Sequence, residues 1–262
     1  MKTFKIDIKN KDVRQKYSDL LKNFENEFSY PLGEKSFFIK HGFSGDHDYF
    51  SFFEQMGEVH YFIVEDKDKI VGAGCAVLRK INNQKVWYLC DFKISKEYRG
   101  RKVLEFMMFK YFVPMYFKAH KMILVNMSNP NSNGLISKVK KMFKAFKLNI
   151  NELYFFEWSK SDIENSTINL DDFYIIHNKN KKDIVIDNNP YHIYHLVNKN
   201  TVKDISKFQF ANLKDIKDED IIMLSSILND NVRRLMDTEK PSTIGTIVSY
   251  GVNDIYFSSA EI

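Results

Sequence analysis

The sequence predicts an α/β (α+β) fold: a mixed, mostly antiparallel sheet flanked by helices, followed by a smaller α+β unit. Three observations carry that reading. The runs "HYFIVED", "KIVGAGCAVLRKI" and "KVWYLCDFKIS" are strand-like and separated only by the short polar breaks "DKD" and "NNQ", so they form an antiparallel meander. A helix and a further strand follow, and that crossover sets a parallel pair beside the meander. The charge then changes sign, with 28 basic against 18 acidic residues in the first 160 positions and 11 against 16 in residues 161–262. The change falls on the polar, acidic stretch "SKSDIENSTINLDD". We therefore expect a domain over 1–158, a linker over 159–170 and a C-terminal α+β domain over 171–262.

Element by element, "FKIDI" alternates as a short strand and "KDVRQKYSDLLKNFENEF" places apolar residues at helical spacing. "SFFIKHG" reads as strand or loop, and "DHDYFSFFEQMG" as a short helix with an Asp cap and a Gly stop. After the meander, Arg101–His120 reads as a long helix that Pro114 kinks or ends. "MILVNMS" is a buried strand, "NPNSNGLISKVKKMFKAF" a loop entering a basic amphipathic helix, and "INELYFFEW" a strand. Beyond Asp171, "FYIIHN" and "DIVIDN" bracket "KNKK" as a hairpin, and "YHIYHLV" is a strand. "DEDIIMLSSIL" reads as helix or strand, and "STIGTIVSYG" with "DIYFSSAEI" as a closing antiparallel pair. No internal repeat stands out.

A hydrophobic share of 44% with 28% charged residues is that of a globular chain, not a disordered one. Cys75 and Cys90 both sit in strand-like runs; two cysteines make neither a disulfide framework nor, alone, a four-ligand metal site. His192 and His195 are three apart and fall on opposite faces of a strand, unsuited to a shared metal. The start "MKTFKIDIKN" has no signal-peptide core, and Glu105, Lys110 and Pro114 interrupt the most apolar helix. The expectation is a cytoplasmic, metal-free protein without a membrane span. A basic front half suits an anionic ligand, whether a phosphorylated cofactor or a nucleic acid, although solvated surface lysines explain it equally well. The absence of RNA-binding motif wording tells against nucleic acid.

The chemistry concentrates in "DFKISKEYRGRKVLEF", a strand, a basic turn and a helix start. First-turn N–H groups of a helix lack intrahelical acceptors, and the helix dipole adds positive charge there, so an anion binds well. Arg99, Arg101 and Lys102 add full charges, and Gly100 lets a ligand approach the backbone. The plain alternative is an ordinary basic turn. With its element order, this stretch resembles the GCN5-related N-acetyltransferase (GNAT) family, whose pyrophosphate signature is Arg/Gln-x-x-Gly-x-Gly/Ala. The sequence reads Arg99-Gly100-Arg101-Lys102-Val103-Leu104, with Lys102 and Leu104 at the family's small positions. Element order resembles the family over residues 1–158, the specific wording over residues 91–104.

The resemblance implies a GNAT-like fold that takes acetyl-CoA or another acyl-CoA as co-substrate, with no metal. Backbone groups of Phe92, Lys93 and Ile94 would pair with the pantetheine arm, and one N–H would polarise the thioester. Arg99, Gly100, Arg101, Lys102, Val103 and Leu104 would cradle the pyrophosphate. Asn131 would touch the cofactor, while neighbouring Asn129 and Asn133 suit turns. Asp91 stands where relatives carry an acidic residue, as base or amine anchor; a hydrogen-bonded strand residue is an equal reading. Glu97 is a surface charge. Phe143 falls where relatives place the tyrosine acid, leaving Tyr154 or water to protonate the thiolate. The acceptor would be a small-molecule or peptide amine, acyl carrier protein is a second donor class, and a homodimer is compatible with the sequence. A GNAT-like binding module without catalysis is the alternative, and Lys102, Leu104 and Phe143 point to it.

Overall fold

A computed structural model describes residues 1–262 except 33–34, 43–45, 82, 128–136, 138, 142–143, 145, 179, 201–205 and 253–256. Strand β1 (Lys2–Lys5) leads into helix α1 (Lys11–Glu25), whose N-cap Asn10 accepts from the amides of Asp12 and Val13. The hairpin β2 (Tyr30–Leu32)–β3 (Lys35–His41) and the one-turn helix α2 (Ser51–Glu54) follow. The meander comprises β4 (Glu58–Asp66), β5 (Lys69–Ile81) and β6 (Gln84–Ile94), paired antiparallel as its polar turns predict. Helix α3 (Val103–Lys118) then crosses to β7 (Lys121–Asn126), which lies parallel to β6, and β8 (Asn149–Trp158) closes this half.

The second half runs through α4 (Lys160–Glu164), β9 (Phe173–His177), β10 (Lys182–Ile186), β11 (Asn189–Tyr191), β12 (Ile193–Asn198), β13 (Gln209–Phe210), β14 (Ile221–Ile227), α5 (Asp230–Met236) and β15 (Thr243–Tyr250). Among the described residues, one sheet of eleven strands has the order β1-β4-β5-β6-β7-β15-β8-β14-β12-β9-β13. A second sheet, β11-β10-β3-β2, joins strands of both halves. It covers the middle of the large sheet, with Phe37, Ile39, Ile184 and Ile186 packed against Leu153, Phe155, Ile193 and Met223. No helix among the described residues is long and apolar enough to cross a membrane.

Segment 159–170 carries α4 and its Ser159 capping box, and strands from both sides of it belong to the large sheet. Several sequence expectations change. "FYIIHN" and "DIVIDN" are no hairpin: β9 pairs with β12 and β13, β10 with β3 and β11. "DEDIIMLSSIL" resolves as strand β14. Both edges of β15 are taken by β7 and β8, and the described part of the expected closing partner holds a 3-10 turn at Ser259–Glu261; residues 254–256 of that segment lie outside the described residues. Pro114 lies inside α3 without ending it; its missing N–H costs one ladder bond, and packing on the sheet carries the helix through. An architectural repeat also appears. The parallel pair β6–β7 and the parallel pair β12–β14 flank β15 and β8, and each half's last strand pairs beside the other half's parallel strand.

The two faces of the meander hold different cores. On one, α1 and α2 bury Leu21, Phe24, Phe52 and Phe53 against Tyr61, Ile63, Cys75 and Tyr88. Cys75 and Cys90 are cross-strand partners on this side and are free, buried thiols. On the other, Val103, Leu104 and Met107 of α3 meet Phe62, Val64, Val71 and Leu89. Close approach of α3 depends on Gly72, where a Cβ would stand 2.8 Å from Cγ1 of buried Val103. Gly72→Ala is therefore expected to destabilise by about 1–3 kcal/mol through overpacking, read in urea unfolding as a lower midpoint with an unchanged m-value.

Candidate active site

The site grows from a defect in β6. Pairing with β5 runs from Ile81↔Gln84 to Cys75↔Cys90, then shifts so that Ala73 faces Lys93 and Gly72 faces Ile94. The extra residue of this bulge lies at Asp91, whose φ of 56° is left-handed for a residue with a side chain. On the opposite edge, β6 stays paired with β7 only from Val86↔Lys121 to Leu89↔Leu124, although β6 extends to Ile94 and β7 to Asn126. The two strands thus part, leaving the β7-facing backbone edge of Phe92, Lys93 and Ile94 outside the ladder. An extended chain laid in that wedge would find main-chain donors and acceptors in strand register.

At the wide end of the wedge stands the start of α3. A single 3-10 turn, Lys96–Tyr98, leads to Gly100 at φ 83° and Lys102 at φ 58°, both left-handed. Lys102 is the N-cap, and its side chain makes no capping hydrogen bond. The two departures from the family wording now separate physically. Leu104 and Val103 turn inward as buried core residues, so their bulk lies away from the turn. Lys102 adopts the left-handed conformation that glycine reaches without strain, and its side chain is exposed. A Cβ at Gly100 would meet no atom within 4 Å. Arg99 and Arg101 are exposed beside it, with the Arg101 guanidinium 4.9 Å from the Tyr98 ring centroid. Uncapped amides, a clear approach and three cations fit a pyrophosphate.

Asp91 faces the α1 side and is held on every oxygen. Tyr49 Oη donates to Oδ2 at 2.8 Å, Tyr61 Oη donates to the same oxygen, and Lys93 Nζ lies 2.5 Å from Oδ1. Lys93 also pairs at 2.5 Å with Glu25, whose other oxygen lies 2.9 Å from His41 Nδ1. The Glu25, His41 and Lys93 side chains are at most 2% exposed and Asp91 is 7% exposed, which makes this a buried ionic chain rather than a surface pair. Burial opposes the charge on Lys93, but Asp91 and Glu25 outweigh it and raise its pKa. Burial likewise favours neutral Glu25, yet His41 and Lys93 bring it down to about 2. For His41 burial wins over Glu25 and lowers the pKa, so its neutral ring donates from Nδ1. Burial raises the Tyr49 and Tyr61 phenols well above their ordinary value, with Asp91 adding to the effect.

The second half reaches this site through Lys182 of β10. Burial pushes its pKa down to about 8, against the pull of Asp91 and Glu25. Lys182 also lines a cleft of about 390 Å³ between the two sheets, with Met127 just past the end of β7 and His195, Phe37 and Phe155 around it. There His195 Nδ1 lies 2.9 Å from Ser259 Oγ, and burial lowers its pKa to about 3. The folded His195 pKa lies below the unfolded value near 6.5, so the unfolded chain binds the extra proton. Stability is then present above pH 6.5 and falls as pH drops toward 3, by up to about 1.4 kcal/mol per pH unit. Urea unfolding between pH 7.5 and 5 should show this slope, and His195→Asn should reduce it, leaving the part that comes from His41, which burial shifts in the same direction.

Of the residues expected from sequence, the structure brings Asp91, Phe92, Lys93 and Ile94 to the wedge and Arg99 to Leu104 to its mouth. The Lys93 side chain has a role that backbone pairing does not describe, as the cation between two buried carboxylates. Tyr154 donates to Glu152 at 2.5 Å and sits two strands from β7, roughly 10 Å away at normal strand spacing. Phe143, Asn129, Asn131 and Asn133 lie outside the described residues. Sequence reasoning missed Glu25, His41, Tyr49, Tyr61 and Lys182. Glu25 had a signal: Tyr17, Ser18, Leu21, Phe24 and Glu25 form one buried stripe of α1, and a carboxylate on such a stripe needs a partner. The others had none that is local.

Comparison with known proteins agrees with this architecture. Residues 20–137 match the profile described as the acetyltransferase (GNAT) family. An uncharacterized protein, L340, of Acanthamoeba polyphaga mimivirus is 24% identical over 229 residues, which cover 79% of this chain and 65% of that protein. Among solved structures, a tandem GNAT protein from the clavulanic acid biosynthesis pathway superposes with TM-score 0.53 at 8% identity, covering 97% of this chain and 99% of its own. A GCN5-related glucosamine N-acetyltransferase region of a fungal multi-domain β-N-acetylglucosaminidase superposes with TM-score 0.50 at 10% identity, covering 95% of this chain and 38% of that one. Identities this low speak for the fold alone, and the tandem arrangement accords with two halves sharing one sheet. Residues 20–137 are thus similar to the GNAT acetyltransferase family, on a chain whose fold resembles that of a tandem GNAT protein over nearly its whole length.

Proposed function

We propose that the protein is an N-acyltransferase that moves an acyl group from a coenzyme A thioester, acetyl-CoA being the reference donor, to an amine. The parting of β6 from β7 after Leu89↔Leu124 carries this reading, because it opens main-chain groups in strand register beside an uncapped helix end. The pyrophosphate rests on the first-turn amides of α3, steadied by Arg99, Arg101 and Lys102. The pantetheine arm pairs with the edge of Phe92 to Ile94, which brings the thioester to the bulge at Asp91.

In the transfer, the amine lone pair attacks the thioester carbonyl carbon. A main-chain N–H of β6 at the bulge holds the oxyanion. The C–S bond then breaks to give an amide and a thiolate, which needs no acid to leave because its pKa is ~8.5. The amine enters through the cleft at Met127. Asp91, fixed by Tyr49, Tyr61 and Lys93, anchors its positive charge and accepts its proton directly or through water.

Acetyl-CoA at a hundred times its Kd should stabilise the protein by about 2.7 kcal/mol. A panel of small-molecule and peptide amines should then show thiol release that Asp91→Asn reduces by at least about a hundredfold while the melting shift persists. No melting shift with millimolar acetyl-CoA would sink the reading. The occupied oxygens of Asp91 favour one second reading, a CoA-binding module; a full shift with no turnover on any amine would establish it.

A further inference from the structure

On the α3 face of the sheet, a cleft of about 650 Å³ runs beneath the helix. It begins at the wedge, where Leu89, Phe92 and Met107 form its near wall, and continues past the point where β6 and β7 close. Trp87 and Met122, cross-strand partners two residues below that point, form its floor. Met108 and Met115 line it along α3, and Ala119 stands at the far end. From Met107 to Ala119 the helix advances about 18 Å at its normal rise. On the acyl-CoA reading above, pyrophosphate and pantetheine would fill the space above the closing point. Nothing in an acetyl group reaches the space below it.

We infer that this cleft receives the acyl chain of the donor thioester, and that the donor carries a medium or long aliphatic chain rather than acetyl. The inference rests on the acyl-CoA reading above. Three features select an aliphatic chain. The wall is almost wholly apolar, with His120 and Lys121 at its far rim, so a polar substituent would lose its hydrogen bonds on entry. Four methionines, Met107, Met108, Met115 and Met122, give a surface that adjusts to a flexible chain. The cleft is continuous with the wedge through Leu89 and Phe92, so a chain attached at the thioester enters without crossing the sheet.

The test is calorimetric binding of CoA, acetyl-CoA, octanoyl-CoA and dodecanoyl-CoA to the full chain, with free dodecanoate as a control for non-specific association. Each methylene seated in the cleft should tighten binding about fourfold at best, and octanoyl-CoA should bind at least about tenfold tighter than acetyl-CoA. Met108→Trp, at a half-buried position on the cleft wall, fills the channel. It should erase that chain-length gain and leave CoA and acetyl-CoA unchanged. Equal affinity for acetyl- and octanoyl-CoA, with CoA still binding, overturns the inference and leaves the acetyl reading standing. A gain that survives Met108→Trp, or that free dodecanoate matches, overturns it too. Failure of CoA itself to bind removes the acyl-CoA reading and this inference with it.

Discussion

Lys93→Met is expected to lower the melting temperature by about 10 °C. The substitution keeps the length of the side chain and removes its charge, leaving Glu25 and Asp91 buried with no cation between them. Removing one partner of a buried pair costs about 3–5 kcal/mol, because the remaining charge has lost both water and partner. For a chain of this size each kcal/mol shifts Tm by about 2–4 °C. The triple variant Lys93→Met, Glu25→Gln, Asp91→Asn should recover part of the loss, since neutral amides are far cheaper to bury than carboxylates. Acid titration checks the same point independently. The folded Glu25 pKa of about 2 lies below its ordinary value of 4.5. Its contribution is therefore present above about pH 4.5 and lost as pH falls through 2. Lys93→Met should move that loss to higher pH. A melting curve unmoved by Lys93→Met would show that the chain of charges is hydrated and uncoupled.

Reversing the charges of the α3 turn, with Arg99, Arg101 and Lys102 all replaced by Glu, is expected to weaken CoA binding by at least about a hundredfold. Charge-assisted hydrogen bonds to phosphate are roughly twice as strong as neutral ones, and reversal turns each attraction into repulsion. All three side chains are exposed, so the apo melting temperature should stay within a degree or two. Raising the salt concentration should weaken the parent protein's binding and lessen the difference between parent and variant. Lys102→Gly divides the effect. It removes a left-handed φ of 58° that only glycine takes without strain, and it restores the family wording at that position. Binding at least as tight as the parent's is the expected result, with the amides and the two arginines carrying the anion. Weaker binding by Lys102→Gly would make the Lys102 ammonium a principal ligand instead.

The amino-acid sequence by itself determined the meander, the helix α3 after a basic turn, and the strand–helix–strand crossover. Period-two apolar runs, polar turns and a helical period are properties of a few neighbouring residues, and they survive without knowledge of the rest of the chain. The same locality made the anion-binding turn legible, since "YRGRK" carries its own charges and its own glycine. Asp91 was legible as the acidic residue of that strand, though neither the bulge that aims it nor the Lys93 side chain as its partner was. What only the tertiary structure decided is which edges meet. Both β15 and β10 leave their own half to pair with strands of the other, and a strand's residues describe its faces but not the partner that will occupy its edge. That choice turns on which edge elsewhere in the chain remains open. The ionic chain Glu25–Lys93–Asp91 depends on it in turn, because Glu25 and Lys93, 68 positions apart, acquire meaning as acid and base only when α1 is laid across β6 and water is excluded between them.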